Sequence, residues 1–350
     1  MPALAVGNEL RKQSPNCRLI YIGNRDSLEE RLTKTVDIEF FPVSIKPLRR
    51  GVFLPNLSVP LLAMLSIHEA RKILNKNNVK LVFGSGGFSS WPACAAARFS
   101  GVPYFLTDGN AYPGLVTRLL GKKAARVFIT FEETKDYFKK NVGNFLTTGF
   151  PVSNAIGKLD KQEAKVLLGL DPNRMTILVT GGSGGARTIN KTLSKVKTNL
   201  LEKGYNLIWQ TGKQWETEQE ILEGFSSRFV LEKFLEPARM ATAISAADLA
   251  VTRCGIMTLS ELAVAGLPAI MIPFPFSAEG HQEANALAIQ TGNGGVMIRD
   301  NELTPENLLS TIDNMIDPSK LKSLQKGILN FARPDATQRI VKNMIETIDA

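Results

Sequence analysis

Short apolar segments alternate with amphipathic segments along the chain. The apolar segments are four to six residues long, are rich in Val, Ile, Leu and Phe, and lack strict alternation with polar residues. This pattern is typical of parallel strands covered on both faces, and the segments between them predict helices, so we expect an α/β fold. The predicted strands are Arg18–Ile22, Ile38–Val43, Lys80–Phe83, Pro103–Leu106, Arg126–Phe131, Met175–Thr180, Asn206–Gln210, Asp248–Thr252 and Pro268–Ile272.

The series of strands and helices is interrupted once, near Phe150. A polar stretch over residues 154–171 separates the first five predicted strands from the last four. At 350 residues the chain is long enough for two domains. We therefore predict two doubly wound domains facing a cleft, over residues 1–152 and 153–350. The last predicted helix, Ala336–Ile348, could pack on either domain.

Two glycine-rich turns follow predicted strands and precede predicted helices. One begins at Gly84 and contains Gly86 and Gly87; the other, Gly181–Arg187, contains four glycines. Such a turn directs backbone N–H groups and the positive end of a helix dipole towards an anion. The second turn suits a diphosphate, although it matches neither a Walker loop nor GxGxxG. A tight turn without a ligand is the structural alternative for each.

Two further helix starts carry polar side chains. In one, Thr258 and Glu261 have the spacing of a capping box; the alternative is that this helix start binds phosphate while Glu261 binds ribose hydroxyls. In the other, His281 and Asn285 share a helical face and Gln282 lies beside them. Their amide and imidazole groups could bind sugar hydroxyls, or they could form an exposed polar helix start.

Composition and charge narrow the classes of function. Hydrophobic residues make up 44% and charged residues 21%, which excludes a disordered or collagen-like chain. The formal net charge of +9 favours an anionic partner. Basic residues are not interleaved with aromatic ones, so a nucleic-acid platform is not indicated. The three cysteines are far apart in the sequence, so neither a zinc site nor a disulfide framework is indicated. This usage of cysteine is typical of a protein in the reducing cytoplasm.

Two clusters of basic residues lie beside apolar ones. The first, called here the basic-apolar segment, contains Lys46, Arg49 and Arg50 beside Leu48, Val52, Phe53 and Leu54. The second contains Arg118, Lys122, Lys123 and Arg126. Cations that flank exposed apolar groups predict contact with an anionic membrane surface, whereas a solvated charged face is the alternative, favoured for the second cluster. The most apolar run, Val52–Ile67, is too short and proline-rich to span a bilayer.

Taken together, the motifs resemble those of one family in order and spacing. They are Gly84–Pro92, Asp108–Asn110, Pro113–Leu115, Gly149–Val152, Gly181–Arg187, Arg253–Glu261, Ala265–Pro268 and His281–Ala286. The family is the bacterial glycosyltransferases that transfer N-acetylglucosamine from UDP-N-acetylglucosamine to lipid I, forming lipid II for peptidoglycan. The resemblance implies a GT-B fold, inversion at the anomeric carbon, no metal or other cofactor, and no nucleic-acid partner. It also implies a peripheral protein on the anionic inner leaflet, at the cytoplasmic face of the membrane.

The resemblance also assigns roles to residues. In the donor site, Ser183 and its neighbouring glycine amides would hold the diphosphate with help from Arg253, and Glu261 would bind ribose. The implied donor-site residues are Gly182, Ser183, Gly184, Asn190, Arg253, Met257, Thr258, Glu261, His281, Gln282 and Asn285. Those implied on the acceptor side are Gly86, Gly87, Phe88 and Asn110. The candidate catalytic carboxylate is Asp108.

Three features depart from the family pattern. The family's first strand and its Gly-Gly-Thr-Gly-Gly-His loop, which carries a proposed general base, precede the residues that match Pro2–Ala5 and are absent from this sequence. The family's His-Glu-Gln-Asn is Thr107–Asn110, and its Asn-Pro-Val-Arg is Phe150–Ser153. Since that first strand would be central, we expect Arg18–Ile22 and Lys80–Phe83 to flank an open slot in a less stable first domain.

Two other functions stay open at this point. One is synthesis of a glycolipid on diacylglycerol, because such enzymes have similar donor loops. The other is binding of a sugar nucleotide without catalysis, because the loop with the proposed base is absent.

Overall fold

The computed structural model describes residues 2–36, 38–45, 59–138, 142–215 and 224–349. The basic-apolar segment, with Lys46, Leu48, Arg49, Arg50, Val52, Phe53 and Leu54, lies outside them. The chain divides into two compact units, called here unit 1, Met1–Pro151 with Asp335–Ala350, and unit 2, Val152–Pro334. Within the described residues, no helix has both the length and the apolar character needed to cross a membrane.

Helices and strands alternate in both units. Up to residue 151 the elements are α1 (Pro2–Gln13), β1 (Ile20–Gly23), α2 (Leu28–Thr35), β2 (Glu39–Pro42), α3 (Val59–Lys76), β3 (Val82–Gly84), α4 (Trp91–Ser100), β4 (Tyr104–Asp108), α5 (Leu115–Leu120), β5 (Arg126–Ile129) and β6 (Phe145–Thr147). Then follow α6 (Lys161–Leu167), β7 (Thr176–Thr180), α7 (Arg187–Glu202), β8 (Asn206–Gln210), β9 (Phe229–Glu232), α8 (Pro237–Ala246), β10 (Leu249–Thr252), α9 (Ile256–Val264), β11 (Ala269–Met271), α10 (His281–Thr291), β12 (Gly295–Met297), α11 (Pro305–Met315), α12 (Pro318–Leu329) and α13 (Ala336–Asp349).

Unit 2 is built on one parallel sheet with the strand order β12-β11-β10-β7-β8-β9. The central strands are buried along their whole length, which explains why their sequences are continuous apolar runs. Thr180 pairs with Thr252 on one side and with Gln210 on the other, so these strands end at the same level. The loops that follow them therefore meet at one edge of the sheet, where open α/β sheets bind ligands.

Unit 1 contains two separate parallel sheets. One has the order β3-β4-β5-β6, and the other consists of β1 and β2. A cavity of about 420 Å³ lies between them and is lined by both β1 and β3, with helices α1 and α4 also contributing. Within the described residues no hydrogen-bonded ladder joins β1 to β3. This confirms the expected open slot between the strands predicted at Arg18–Ile22 and Lys80–Phe83.

The C-terminal helix α13 belongs to unit 1, although the predicted second domain extended to residue 350. Its side chains Ile340, Val341 and Met344 are fully buried against Val6 of α1, in a cluster that includes Phe105. The amphipathic pattern of the helix required a partner and could not identify which unit supplies it.

Candidate active site

The turn after β7, called here the glycine loop, comprises residues 181–186 and leads into the 16-residue helix α7. The Gly185 N–H donates a hydrogen bond of 3.0 Å to the Gly182 carbonyl and closes a tight turn. A Cβ atom on Gly185 would lie 2.3 Å from the Thr211 carbonyl oxygen, so only glycine fits there. Ser183 is exposed beside the start of α7. The exposed Ser183 hydroxyl and the N-terminus of α7 thus lie close together along the chain, and anion binding there stays a prediction.

Arg253, at the end of β10, is held by the protein itself. Its Nη1 atom lies 2.5 Å from Oδ1 of Asp300 and donates to the carbonyls of Ile272 and Pro273, each at 3.2 Å. Asp300 also accepts a 2.9 Å hydrogen bond from the Thr188 hydroxyl. The guanidinium predicted to assist the diphosphate is thus occupied in this structure and joins three loops.

Helix α9 starts earlier than the sequence suggested. Gly255 is its N-cap, so Met257 and Thr258 lie within the first turn and Glu261 in the second. The capping-box interpretation of Thr258 and Glu261 is therefore wrong, and their spacing has no capping role. Burial raises the pKa of Glu261 from 4.5 to about 7. A mostly buried carboxyl group one turn from a helix start is a suitable acceptor for ribose hydroxyls.

The start of α10 contributes Gln282 and His281. The Oε1 atom of Gln282 accepts hydrogen bonds from the N–H groups of Cys254, at 3.2 Å, and Phe274, at 2.9 Å. Gln282 therefore joins the loops that follow β10 and β11. His281 is half-buried, with Nδ1 at 2.6 Å from the Ala278 carbonyl oxygen.

Two predicted donor-site amides are turned into the protein. Asn285 is fully buried and donates a 3.2 Å hydrogen bond to the Cys254 carbonyl. Asn190 is also buried, donates to the Thr211 carbonyl at 2.8 Å and accepts from the Trp209 indole at 3.1 Å. In this structure both amides hold the loops at the carboxyl edge of the sheet. The ligand contact expected of each stays a prediction.

In unit 1, the loop after β3 carries the predicted acceptor residues. Gly86 and Gly87 have positive φ values of 82° and 69°, and Phe88 is exposed. A Cβ atom on Gly86 would lie 3.1 Å from the Thr107 carbonyl oxygen, so this loop lies against the end of β4. Asn110 follows in the next loop, half-buried. The structure therefore places these acceptor candidates at one edge of the unit 1 sheet.

Asp108 is buried and engaged on both carboxylate oxygens. Its Oδ2 accepts a 2.7 Å hydrogen bond from the Gly114 N–H, and its Oδ1 accepts one of 3.2 Å from the Asn110 N–H. Burial raises the pKa of Asp108, and these hydrogen bonds act in the opposite direction. This side chain therefore shapes the loop over residues 109–114. Its role as the catalytic carboxylate stays a prediction.

Comparison with known proteins identifies the family. Residues 1–129 match the glycosyltransferase family 28 N-terminal domain, and residues 176–340 match the C-terminal domain of that family. Over 99% of this chain and 95% of the relative, the chain is 36% identical to the UDP-N-acetylglucosamine–N-acetylmuramyl-(pentapeptide) pyrophosphoryl-undecaprenol N-acetylglucosamine transferase of Desulfitobacterium hafniense (strain DSM 10664 / DCB-2). The transferase of the same name from Flavobacterium psychrophilum is 32% identical, over 100% of this chain and 94% of the relative. The chain belongs to this glycosyltransferase family.

Solved structures agree with the fold of the family. Acinetobacter baumannii MurG matches with a TM-score of 0.76 and 24% identity, covering 99% of this chain and 95% of that one. A kitacinnamycin glycosyltransferase matches with a TM-score of 0.75 and 16% identity, over the same shares of the two chains. The predicted GT-B fold, with two Rossmann-like domains, is confirmed.

In this glycosyltransferase the predicted donor residues fall into two groups. Ser183, Thr258 and His281 are at least partly accessible, whereas Asn190 and Asn285 are buried. The sequence interpretation missed Asp300, which no motif marks, and Gln210, a polar residue that ends a buried apolar run.

Within the described residues, no group of three or more His, Cys, Asp or Glu side chains is placed to hold a metal ion.

Proposed function

We propose that this chain transfers N-acetylglucosamine from UDP-N-acetylglucosamine to lipid I, the undecaprenyl-diphosphate-linked N-acetylmuramyl-pentapeptide, and so forms lipid II. One observation carries the proposal: 36% identity over 99% of the chain with a relative named for this transfer. The relatives described above do not favour transfer to diacylglycerol, nor binding of a sugar nucleotide without catalysis.

The donor is proposed to bind at the carboxyl edge of the unit 2 sheet. The Ser183 hydroxyl, the glycine-loop amides and the start of α7 would hold the diphosphate, and the first turn of α9, with Met257 and Thr258, would add a second set of N–H groups. Glu261 would accept hydrogen bonds from ribose hydroxyls. Because the Oε1 atom of Gln282 is bound within the protein, its Nε2 atom would contact the sugar.

In the proposed reaction a hydroxyl of the acceptor sugar attacks the anomeric carbon as the bond to the UDP oxygen breaks, with inversion. Negative charge develops on the leaving diphosphate, where N–H groups at helix starts stabilise it most effectively. The hydroxyl proton passes to a base. Asp108 is the candidate for that base, and each of its two oxygens accepts one backbone hydrogen bond in this structure.

The acceptor is proposed to bind unit 1. Gly86 and Gly87 have positive φ values and no side chain, so a ligand can approach their backbone closely, which suits the lipid diphosphate. Exposed Phe88 and half-buried Asn110 would contact the remainder of the acceptor.

Membrane contact is proposed to occur through the basic-apolar segment and the helix that follows it. Leu61, Met64 and Leu65 of α3 are exposed and have the spacing of one helical face. Cations next to such a face favour the anionic inner leaflet, on the cytoplasmic side, where lipid I is available. We propose no nucleic-acid partner.

The test is a transfer assay with purified chain, lipid I and radiolabelled UDP-N-acetylglucosamine. Labelled lipid II is the expected product, and diacylglycerol in place of lipid I should yield none. Ser183→Ala should lower activity, whereas Ser310→Ala, an exposed serine on α11, should not. Product with diacylglycerol but none with lipid I would overturn the proposal.

A further inference from the structure

The side chain of Gln210 lies directly beneath the glycine loop. It is 2% exposed, at the carboxyl end of the buried strand β8. Its Nε2 atom donates to the Thr180 hydroxyl, at 2.9 Å, and to the Gly182 carbonyl, at 3.2 Å. Its Oε1 atom accepts a 2.8 Å hydrogen bond from the Leu235 N–H. One buried amide thus joins the end of β7, the glycine loop and the segment after β9.

These contacts fix the orientation of a peptide group in the glycine loop. The peptide bond between Gly182 and Ser183 is trans, so its C=O and N–H point in opposite directions. Gln210 and the Gly185 N–H both hold the Gly182 carbonyl on the inner side. The Ser183 N–H is therefore turned to the outer side, where Ser183 is exposed.

The next peptide group, between Ser183 and Gly184, is oriented by a residue that follows the same strand, β8. The Ser183 carbonyl accepts a 3.2 Å hydrogen bond from the Lys213 N–H, which turns the Gly184 N–H away from Lys213. Gly182 has a φ value of 83°, and a Cβ atom there would have no neighbour within 4 Å. The peptide plane beside it could rotate with little steric resistance, so hydrogen bonds must hold it.

We propose that Gln210 is a positioning residue that directs the N–H groups of the glycine loop towards the donor diphosphate. It acts through the loop and does not touch the substrate. The inference rests on the proposed function, since it assumes that a nucleoside diphosphate binds at this loop.

A matched control lies at the other end of the same strand. Asn206 is fully buried, and its Nδ2 atom donates to the Thr176 hydroxyl at 3.1 Å and to the Asp171 carbonyl at 2.7 Å. Gln210→Met and Asn206→Leu each replace a buried amide with an apolar side chain of similar size. Both should lower thermal stability, but only the first lies under the glycine loop.

The experiment measures the affinities of the full chain for UDP and for uridine, which lacks the phosphates. In Gln210→Met we expect UDP affinity to fall about tenfold to a hundredfold, as for the loss of one or two hydrogen bonds to a charged group. Uridine affinity should stay within about twofold, since the nucleoside does not use these N–H groups. Asn206→Leu should change neither affinity. Thr180→Val, which removes the hydroxyl that Gln210 contacts, should lower UDP affinity in the same selective way.

An unchanged UDP affinity in Gln210→Met would overturn the inference. So would equal losses for UDP and uridine, because a general loss of structure produces them. If Gln210→Met fails to fold, Thr180→Val decides by the same two affinities. A wild-type chain that binds no UDP would instead refute the proposed function itself.

Discussion

The carboxylate of Asp300 holds the guanidinium of Arg253, with Nη1 and Oδ1 2.5 Å apart and side chains only 12% and 18% exposed. Arg253 follows the central strand β10, and Asp300 follows the edge strand β12, two positions away in the unit 2 sheet. Through the Thr188 hydroxyl the pair also contacts the first turn of α7. The pair therefore fixes the loops that surround the proposed diphosphate site.

We expect Arg253→Ala and Asp300→Ala each to lower the free energy of unfolding by about 3–5 kcal/mol, because each leaves a mostly buried charge without its partner. The double variant should lose much less than the sum, since the two changes share one interaction. Urea unfolding measures this. As a control, loss of the exposed ion pair between Arg299 and Glu283 should lower the free energy of unfolding by at most about 1 kcal/mol. Additive losses at Arg253 and Asp300 would contradict the expectation.

Gln282 should have two separable roles. Gln282→Ala removes the acceptor for the Cys254 and Phe274 N–H groups, so the free energy of unfolding should fall by about 1–3 kcal/mol. Gln282→Glu keeps that acceptor and should regain most of this stability. Both variants lack the Nε2 donor, so both should bind UDP-N-acetylglucosamine more weakly than the wild type. Calorimetric titration and urea unfolding test the two roles; full sugar-nucleotide affinity in either variant would remove Gln282 from the sugar site.

The sequence predicted every central strand but only some of the strands at sheet edges. All nine predicted strands are present, and the three missed within the described residues, β6, β9 and β12, are edge strands. An edge strand pairs on one side only and needs no continuous apolar run, so its pattern is weak.

For the candidate site, the sequence located the loops better than it assigned the side chains. The glycine loop lies where its glycines placed it, because strand and helix periodicity bracket it. Asn285 and Asp108 have polar side chains next to predicted loops, a pattern that does not distinguish a ligand contact from a buried hydrogen bond to backbone. Thr258 was assigned to a helix cap because Gly255, the actual N-cap, has no side chain to reveal the helix start.

Glu261 should make the stability of unit 2 depend on pH. Burial raises the pKa of its carboxyl group from 4.5 to about 7, so the folded chain holds this proton more tightly than the unfolded chain. The stabilising contribution is complete below pH 4.5 and is lost as pH rises through 7. From the size of the shift, the loss is about 3 kcal/mol. Glu261→Gln should remove this dependence in urea unfolding measured between pH 4.5 and 8; parallel curves for the two proteins would contradict the burial of Glu261.

Unit 1 should unfold at a lower temperature than unit 2. The cavity between β1 and β3 leaves strand edges without a neighbouring strand and side chains without packing partners. We therefore expect two calorimetric transitions. UDP should raise only the upper one, because ligand binding stabilises the unit that binds it. Phe128→Leu, in the unit 1 core, should reduce the temperature of the first transition and leave that of the second unchanged. If UDP raised the lower transition instead, unit 2 would be the less stable unit and the prediction would be wrong.

Replacement of Lys46, Arg49 and Arg50 by Ser should release the chain from anionic vesicles. At about 1 kcal/mol for each cation, three cations contribute about 3 kcal/mol, or more than a hundredfold in partitioning.

The apolar part of the contact should respond differently to salt. Leu61, Met64 and Leu65 of α3 are exposed, so their replacement by Ser should remove the binding that persists at high salt and leave the fold intact. Replacement of the exposed Lys122 and Lys123 by Ser is the control, and it should have a smaller effect if that cluster is a solvated face. Vesicle sedimentation at low and high salt measures all three variants. Unchanged sedimentation after loss of Lys46, Arg49 and Arg50 would contradict membrane contact through the basic-apolar segment, and release by the control variant would assign that contact to α5 and the turn after it.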